Sequence, residues 1–106
     1  YTSTDRFIRA TSLRHQLRCS HNEDENLMNC FKVLESVSIP QGAVIDANKI
    51  HYTQYQLVME SKERSYYIKP YFSNQIFKIK LTEDLLSKNE MTFLPINHEL
   101  KITSIQ

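Results

Sequence analysis

Four side chains able to ligate metal or act as nucleophiles fall close together: His15, Cys19, His21 and Cys30. Tetrahedral zinc accepts nitrogen and sulfur ligands, yet H-x3-C-x-H-x8-C matches no common zinc module. No metal is expected, and the ordinary reading is two surface histidines near two unrelated cysteines. Cys19 and Cys30 are also a candidate disulfide, provided that residues 13–19 and 30–39 pair as a hairpin that sets the sulfurs opposite. A bridge of that span is worth about 3 kcal/mol in an oxidising compartment. The alternative is two free thiols packed as small hydrophobes. Asn22, Asp24 and Asn26 open like a calcium loop, but Leu27 and Val33 stand where its glycine and glutamate belong.

Covalent catalysis needs a nucleophile held beside a base, and acid–base work needs positioned carboxylates. No G-x-S-x-G elbow occurs, and His51 and His98 lie in no motif. Glu60 and Glu63 fall in an expected hairpin loop, where charge is normally solvated. Gly42 is the sole glycine in 106 residues, where average usage gives about seven. Phosphate-cradling loops need glycine for close backbone approach, so no nucleotide-binding loop can be written. No cofactor is implied. The chain reads as a non-enzyme.

The densest surface chemistry lies in residues 64–81. Alternation places Tyr67, Lys69 and Tyr71 on one side of a strand, with Lys78 and Lys80 outward on the next. Rings beside cations suit single-stranded nucleic acid, and exposed tyrosines equally suit protein interfaces. The plainest reading is tyrosines packed under a loop, with lysines guarding an edge strand. Pro70, which cannot donate to a central ladder, favours an edge.

The elements that must carry these residues read mostly as strands. Residues 5–18 fit a helix capped by Thr4, with Phe7, Ala10, Leu13 and Leu17 near one face, or a strand; Thr11 and Ser12 tilt the balance to strand. Arg6, Arg9, Arg14 and Arg18 then form a solvated face; as a helix they could lie on an anionic membrane. Residues 20–28 read as an acidic loop, and 30–39 as a half-buried strand with Phe31, Val33, Val37 and Ile39 inward. Gly42 supplies the positive φ of a type II turn after Pro40. Strands follow at 43–45, 50–60, 64–72, 76–81, 91–96 and 100–105. Asp46–Asn48, Ser73–Asn74, Lys88–Asn89 and Asn97–His98 supply turns. Thr82 caps one helical turn through Leu86.

The expected fold is therefore mainly β, with strand outweighing helix by about two to one. It is an antiparallel sandwich or small barrel of about seven short strands with one helical turn. The alternative is α+β with an N-terminal helix. Residues 1–106 read as one domain, with 1–18 a less tightly packed segment. A first residue of Tyr1 reads as a processed or excised chain, which leaves the compartment unassigned. Net charge is +1, spread in blocks of alternating sign, which argues against a purely electrostatic nucleic-acid binder. No run approaches the length of a membrane span.

The expected function is a non-catalytic interaction domain binding another protein by a sheet face or edge strand, through Tyr67, Lys69, Tyr71, Lys78 and Lys80. The alternatives are a small barrel binding single-stranded nucleic acid and a non-catalytic subunit of an enzyme complex. Phe77, Ile79 and Leu81 claim the core side of their strand. Phe77→Ala should cost roughly 3–5 kcal/mol. An unchanged unfolding midpoint would put the ring in solvent and shift the register by one.

Overall fold

The acidic stretch that reads as a loop is the first turn of a helix. Asn22 takes the N-cap, its Oδ1 accepting from the backbone N–H of Asp24 at 2.9 Å and of Glu25 at 3.4 Å. Glu23, Asp24 and Glu25 then sit in the first turn, where the helix dipole favours negative charge. In this computed structural model, which describes residues 2–96 and 98–106, α2 runs over Glu23–Ser36. It follows α1, Ser3–Gln16, which is capped by Thr2 rather than Thr4. Asp5 in the first turn of α1 and Arg14 and His15 in its last turn complement the same dipole.

The remaining elements are β1 (Val44–Asp46), β2 (Lys49–His51), β3 (Tyr55–Glu60), β4 (Ser65–Pro70), β5 (Phe77–Lys80) and α3 (Glu83–Leu86). The architecture is mixed α/β, with three helices and two small antiparallel sheets among the described residues. A mainly-β sandwich is not what forms. Helices hold more residues than strands, and the N-terminal helix of the alternative reading is present as α1. The strand expected at 30–39 is also helical as far as Ser36. Leu27, Phe31 and Leu34 recur at four- and three-residue spacing, and Phe31, at 5% exposure, is the buried hydrophobic among the described residues. Val33, Val37 and Ile39, expected in the core, are half-buried. Leu34, expected outside, is half-buried too.

The chain divides into two compact units, Tyr1–Gln56 and Leu57–Gln106, with the boundary inside β3. In the first unit α1 packs on α2. Ser36 Oγ donates to the Val33 carbonyl at 2.6 Å, and Ser38 Oγ donates to the Leu34 carbonyl at 2.9 Å. These bonds add donors to carbonyls of the last turn, where Leu34 also accepts the Val37 N–H at 3.2 Å. The turn at residues 40–43 forms as expected, with the Ala43 N–H on the Pro40 carbonyl at 3.2 Å and Gly42 at φ 93°. β1 and β2 make a hairpin that pairs Asp46 with Lys49. Its two-residue turn needs positive φ at both positions, which Ala47 and Asn48 supply at 49° and 64°.

In the second unit the sheet order is β3-β4-β5. Glu60 stabilises the turn at 61–64, its carboxylate accepting from the N–H groups of Lys62 and Glu63. Tyr66 pairs with Ile79 and Ile68 with Phe77, giving one apolar face. Phe77 and Ile79 point to the more buried side and Lys78 and Lys80 outward, as the alternation requires. Phe77 is only half-buried, so its truncation should cost less than the figure for a fully buried ring. Thr82 caps α3 through the Leu85 N–H. The strands expected at 91–96 and 100–105 are not found among the described residues. Instead the Asn74 side chain brackets Lys101, accepting from its N–H at 3.1 Å and donating to its carbonyl at 2.6 Å. The turn expected at Asn97–His98 includes a position outside the described residues.

Gly42 isolates one cost cleanly. Open space surrounds the position where a Cβ would sit, so Gly42→Ala is penalised through its positive φ alone. Denaturant unfolding should show a loss of about 1 kcal/mol, and an unchanged midpoint would mean that the turn relaxes freely.

Candidate functional site

α1 places Asp5, Ile8, Arg9 and Ser12 along one flank at three- and four-residue spacing, with Arg6 and Leu13 beside them. Together with Ser36 and Val37 these side chains line an open groove of about 780 Å³ in the first unit. Two arginines hold the end of α2 from this side. Arg6 Nε donates to the Val37 carbonyl at 2.8 Å, and Arg9 Nη1 donates to the Ser36 carbonyl at 3.2 Å. The attraction is physical before it is functional, because the last carbonyls of a helix lack partners and carry the negative end of its dipole. Arg6 spends only Nε on this bond, so its Nη donors remain for a second acceptor. The lining therefore combines two guanidiniums and the Asp5 carboxylate with the apolar side chains of Ile8, Leu13 and Val37.

Sequence reasoning left these arginines as a solvated face. The signal that marks them is helical: Arg6, Arg9 and Leu13 recur three and four residues apart, a relation lost when the segment is read as a strand.

The residues singled out by sequence lie in the second unit. Tyr67 and Lys78 are direct cross-strand partners, with Lys78 Nζ 5.7 Å from the Tyr67 ring centroid. Lys80 pairs with Ser65, which is buried, while Lys69 lies two residues beyond Tyr67 on β4. Tyr71 falls just past the strand, its ring edge-on to Phe72 at 4.9 Å. The structure thus unites Tyr67 with Lys78, and adds a residue that the sequence left in a loop. Glu63 meets Lys78 Nζ at 3.7 Å, so a carboxylate does reach this cationic strip.

The hairpin that was to oppose Cys19 and Cys30 does not form, since Cys30 lies within α2 and Cys19 in the link before it. Both are exposed free thiols. Among the described residues no three His, Cys, Asp or Glu side chains converge as a metal site, and no helix is long and apolar enough to cross a membrane.

Comparison with known proteins assigns the chain. Two solved structures of the conjugated bile acid hydrolase from Clostridium perfringens share its fold across all of its length. One is a mutant, 24% identical with a TM-score of 0.77, of which this chain covers 32%. The other is a further variant, 23% identical with a TM-score of 0.77, of which it covers 33%. The chain therefore spans about a third of the length of these structures, and at such identity the likeness is one of fold. The model of a family described as linear amide C–N hydrolases, choloylglycine hydrolase family, matches residues 1–94. That match overturns the expectation of a non-catalytic interaction domain, its nucleic-acid-binding and non-catalytic-subunit alternatives, and the reading of the chain as a non-enzyme. This chain belongs to the choloylglycine hydrolase family of linear amide C–N hydrolases.

Proposed function

We propose that the protein carrying this chain hydrolyses a linear amide C–N bond, and that this chain supplies the cationic wall of the substrate groove through Arg6 and Arg9. The observation that carries the reading is the family match over residues 1–94, which includes every residue lining the groove. Hydrolysis of an amide adds water across the C–N bond, releasing an amine and a carboxylic acid. Negative charge builds on the carbonyl oxygen on the way, and pre-placed N–H donors stabilise it. A guanidinium is suited to that task or to gripping a carboxylate on the substrate, because its donors are planar, fixed and permanently charged. Ile8, Leu13 and Val37 offer the apolar half of the same groove to the substrate's hydrocarbon.

Such a lining fits an amphipathic amide, with an apolar body and a polar or anionic end. Conjugated bile acids, the substrates named for the Clostridium perfringens hydrolase, are the first class to try. Tyr67, Lys69, Tyr71, Lys78 and Lys80 are given no substrate contact in this reading, because Lys78 is already engaged by Glu63 and the Tyr67 ring.

The test is an assay of amide cleavage by the full-length protein, following the released amine. Parent protein should cleave at least one amphipathic linear amide. Arg6→Ala should lower kcat/KM by about 100-fold, the usual scale for losing one charge-stabilising donor. Arg9→Ala, which removes the more exposed partner, should cost about tenfold. A parent that cleaves no linear amide, or variants as active as the parent, would sink the reading.

A further inference from the structure

We propose that Thr53, buttressed by Gln56, is a positioning residue for Arg6, acting through the terminal turn of α2. The inference rests on the groove being a substrate site, but its structural half can be tested without any substrate.

A guanidinium held through Nε is placed only as well as the carbonyl that accepts it. For Arg6 that carbonyl belongs to Val37, one residue past the end of α2, where the Val37 and Ser38 N–H groups still reach back to the Leu34 and Glu35 carbonyls at 3.2 and 3.1 Å. Beyond that last turn the chain is held by residues from the stretch after β2. Ile39 and Thr53 exchange two hydrogen bonds: the Ile39 N–H donates to Thr53 Oγ1 at 2.8 Å, and the Thr53 N–H donates to the Ile39 carbonyl at 3.0 Å. One step upstream, Gln56 Nε2 donates to Ser38 Oγ at 3.0 Å and to the Glu35 carboxylate. Ser38 Oγ in turn donates to the Leu34 carbonyl.

Residues 35, 38 and 39 are thus tied to Gln56 and Thr53, while the carbonyls of residues 36 and 37 face the arginines. The same short turn is gripped from two sides. Gln56 Oε1 is buried without a protein partner, a cost sustained where the Nε2 donor is committed to the turn. The route from Thr53 to Arg6 is contiguous: hydroxyl to Ile39 N–H, one peptide back to the Val37 carbonyl, then Nε. A misplacement of about 1 Å in a group that orients substrate can cost on the order of 100-fold in rate, so such a support matters.

The experiment uses the full-length protein, with Thr53→Val to delete the hydroxyl at nearly constant shape and Thr53→Ser to restore it. Gln56→Leu, which removes the bonds to Ser38 and Glu35, is the independent second variant. The first readout is hydrogen exchange at the Arg6 side-chain Nε–H, compared with backbone amides of β4 as the remote control. Exchange at Arg6 should quicken about tenfold in Thr53→Val and Gln56→Leu, return to the parental rate in Thr53→Ser, and stay unchanged in β4. The second readout is kcat and KM for a cleaved amide, where kcat/KM should fall by about tenfold in Thr53→Val and recover in Thr53→Ser. Arg6 exchange that stays at the parental rate in both variants, or that quickens no more than the β4 amides do, overturns the proposal. A parent without amide hydrolase activity defeats only the functional reading, because the exchange comparison still decides whether Thr53 positions Arg6.

Discussion

The C-terminal turn of α2 is the constraint on which the first unit depends. Every helix ends with carbonyls short of intrahelical donors, and here they are met both by the terminal turn itself and by arginines of α1. Ser36 and Ser38 hydroxyls take those of Val33 and Leu34, and Arg9 and Arg6 take those of Ser36 and Val37. Thr53 takes Ile39, two residues further on, in a two-way exchange. Bonds with a charged donor contribute roughly 1.5–3 kcal/mol each, about twice a neutral one, so the arginine pair is the stronger half of this clamp. The same geometry that satisfies a helix end also draws two guanidiniums to the edge of a groove. Structural need and chemical opportunity coincide at one turn.

Little of the chain's apolar surface is hidden within the chain. Phe31 is buried, whereas Phe7, Ile8, Met59, Phe93, Ile102 and Ile105 are each at least 60% exposed. Apolar area left in water forgoes stabilisation of about 25 cal/mol per Å², and contiguous patches of it are unusual on a self-sufficient monomer. The solved structures that share this fold are about three times as long.

What could be read from sequence divides along a physical line. Local chemistry was legible: Gly42 in its turn, Thr82 as a cap, and the inward and outward alternation from Phe77 to Lys80 all stand in the structure. Each depends on a few neighbouring residues. The helices were not legible, because their cues were assigned to another category. Asn22 followed by Glu23, Asp24 and Glu25 has the composition of a loop and the order of a helix N-terminus. Phe31, Val33, Val37 and Ile39 alternate well enough to imitate a strand, while the helical series Leu27, Phe31, Leu34 runs through the same residues. Arg6 and Arg9 gained meaning only when α1 set them on one face and α2 ended against them. That meeting joins positions some thirty residues apart, which no local pattern encodes. Family membership was less legible still, since the match extends over residues 1–94 and rests on no short motif.

The most direct measurement is a crystal structure of the full-length protein with a slowly cleaved amphipathic amide bound. Its polar end should lie within hydrogen-bond distance of the Arg6 or Arg9 guanidinium, with the apolar body along Ile8 and Leu13. An amide bound elsewhere, with Arg6 donating to the Val37 carbonyl alone and the groove empty, would show that these arginines only close a helix.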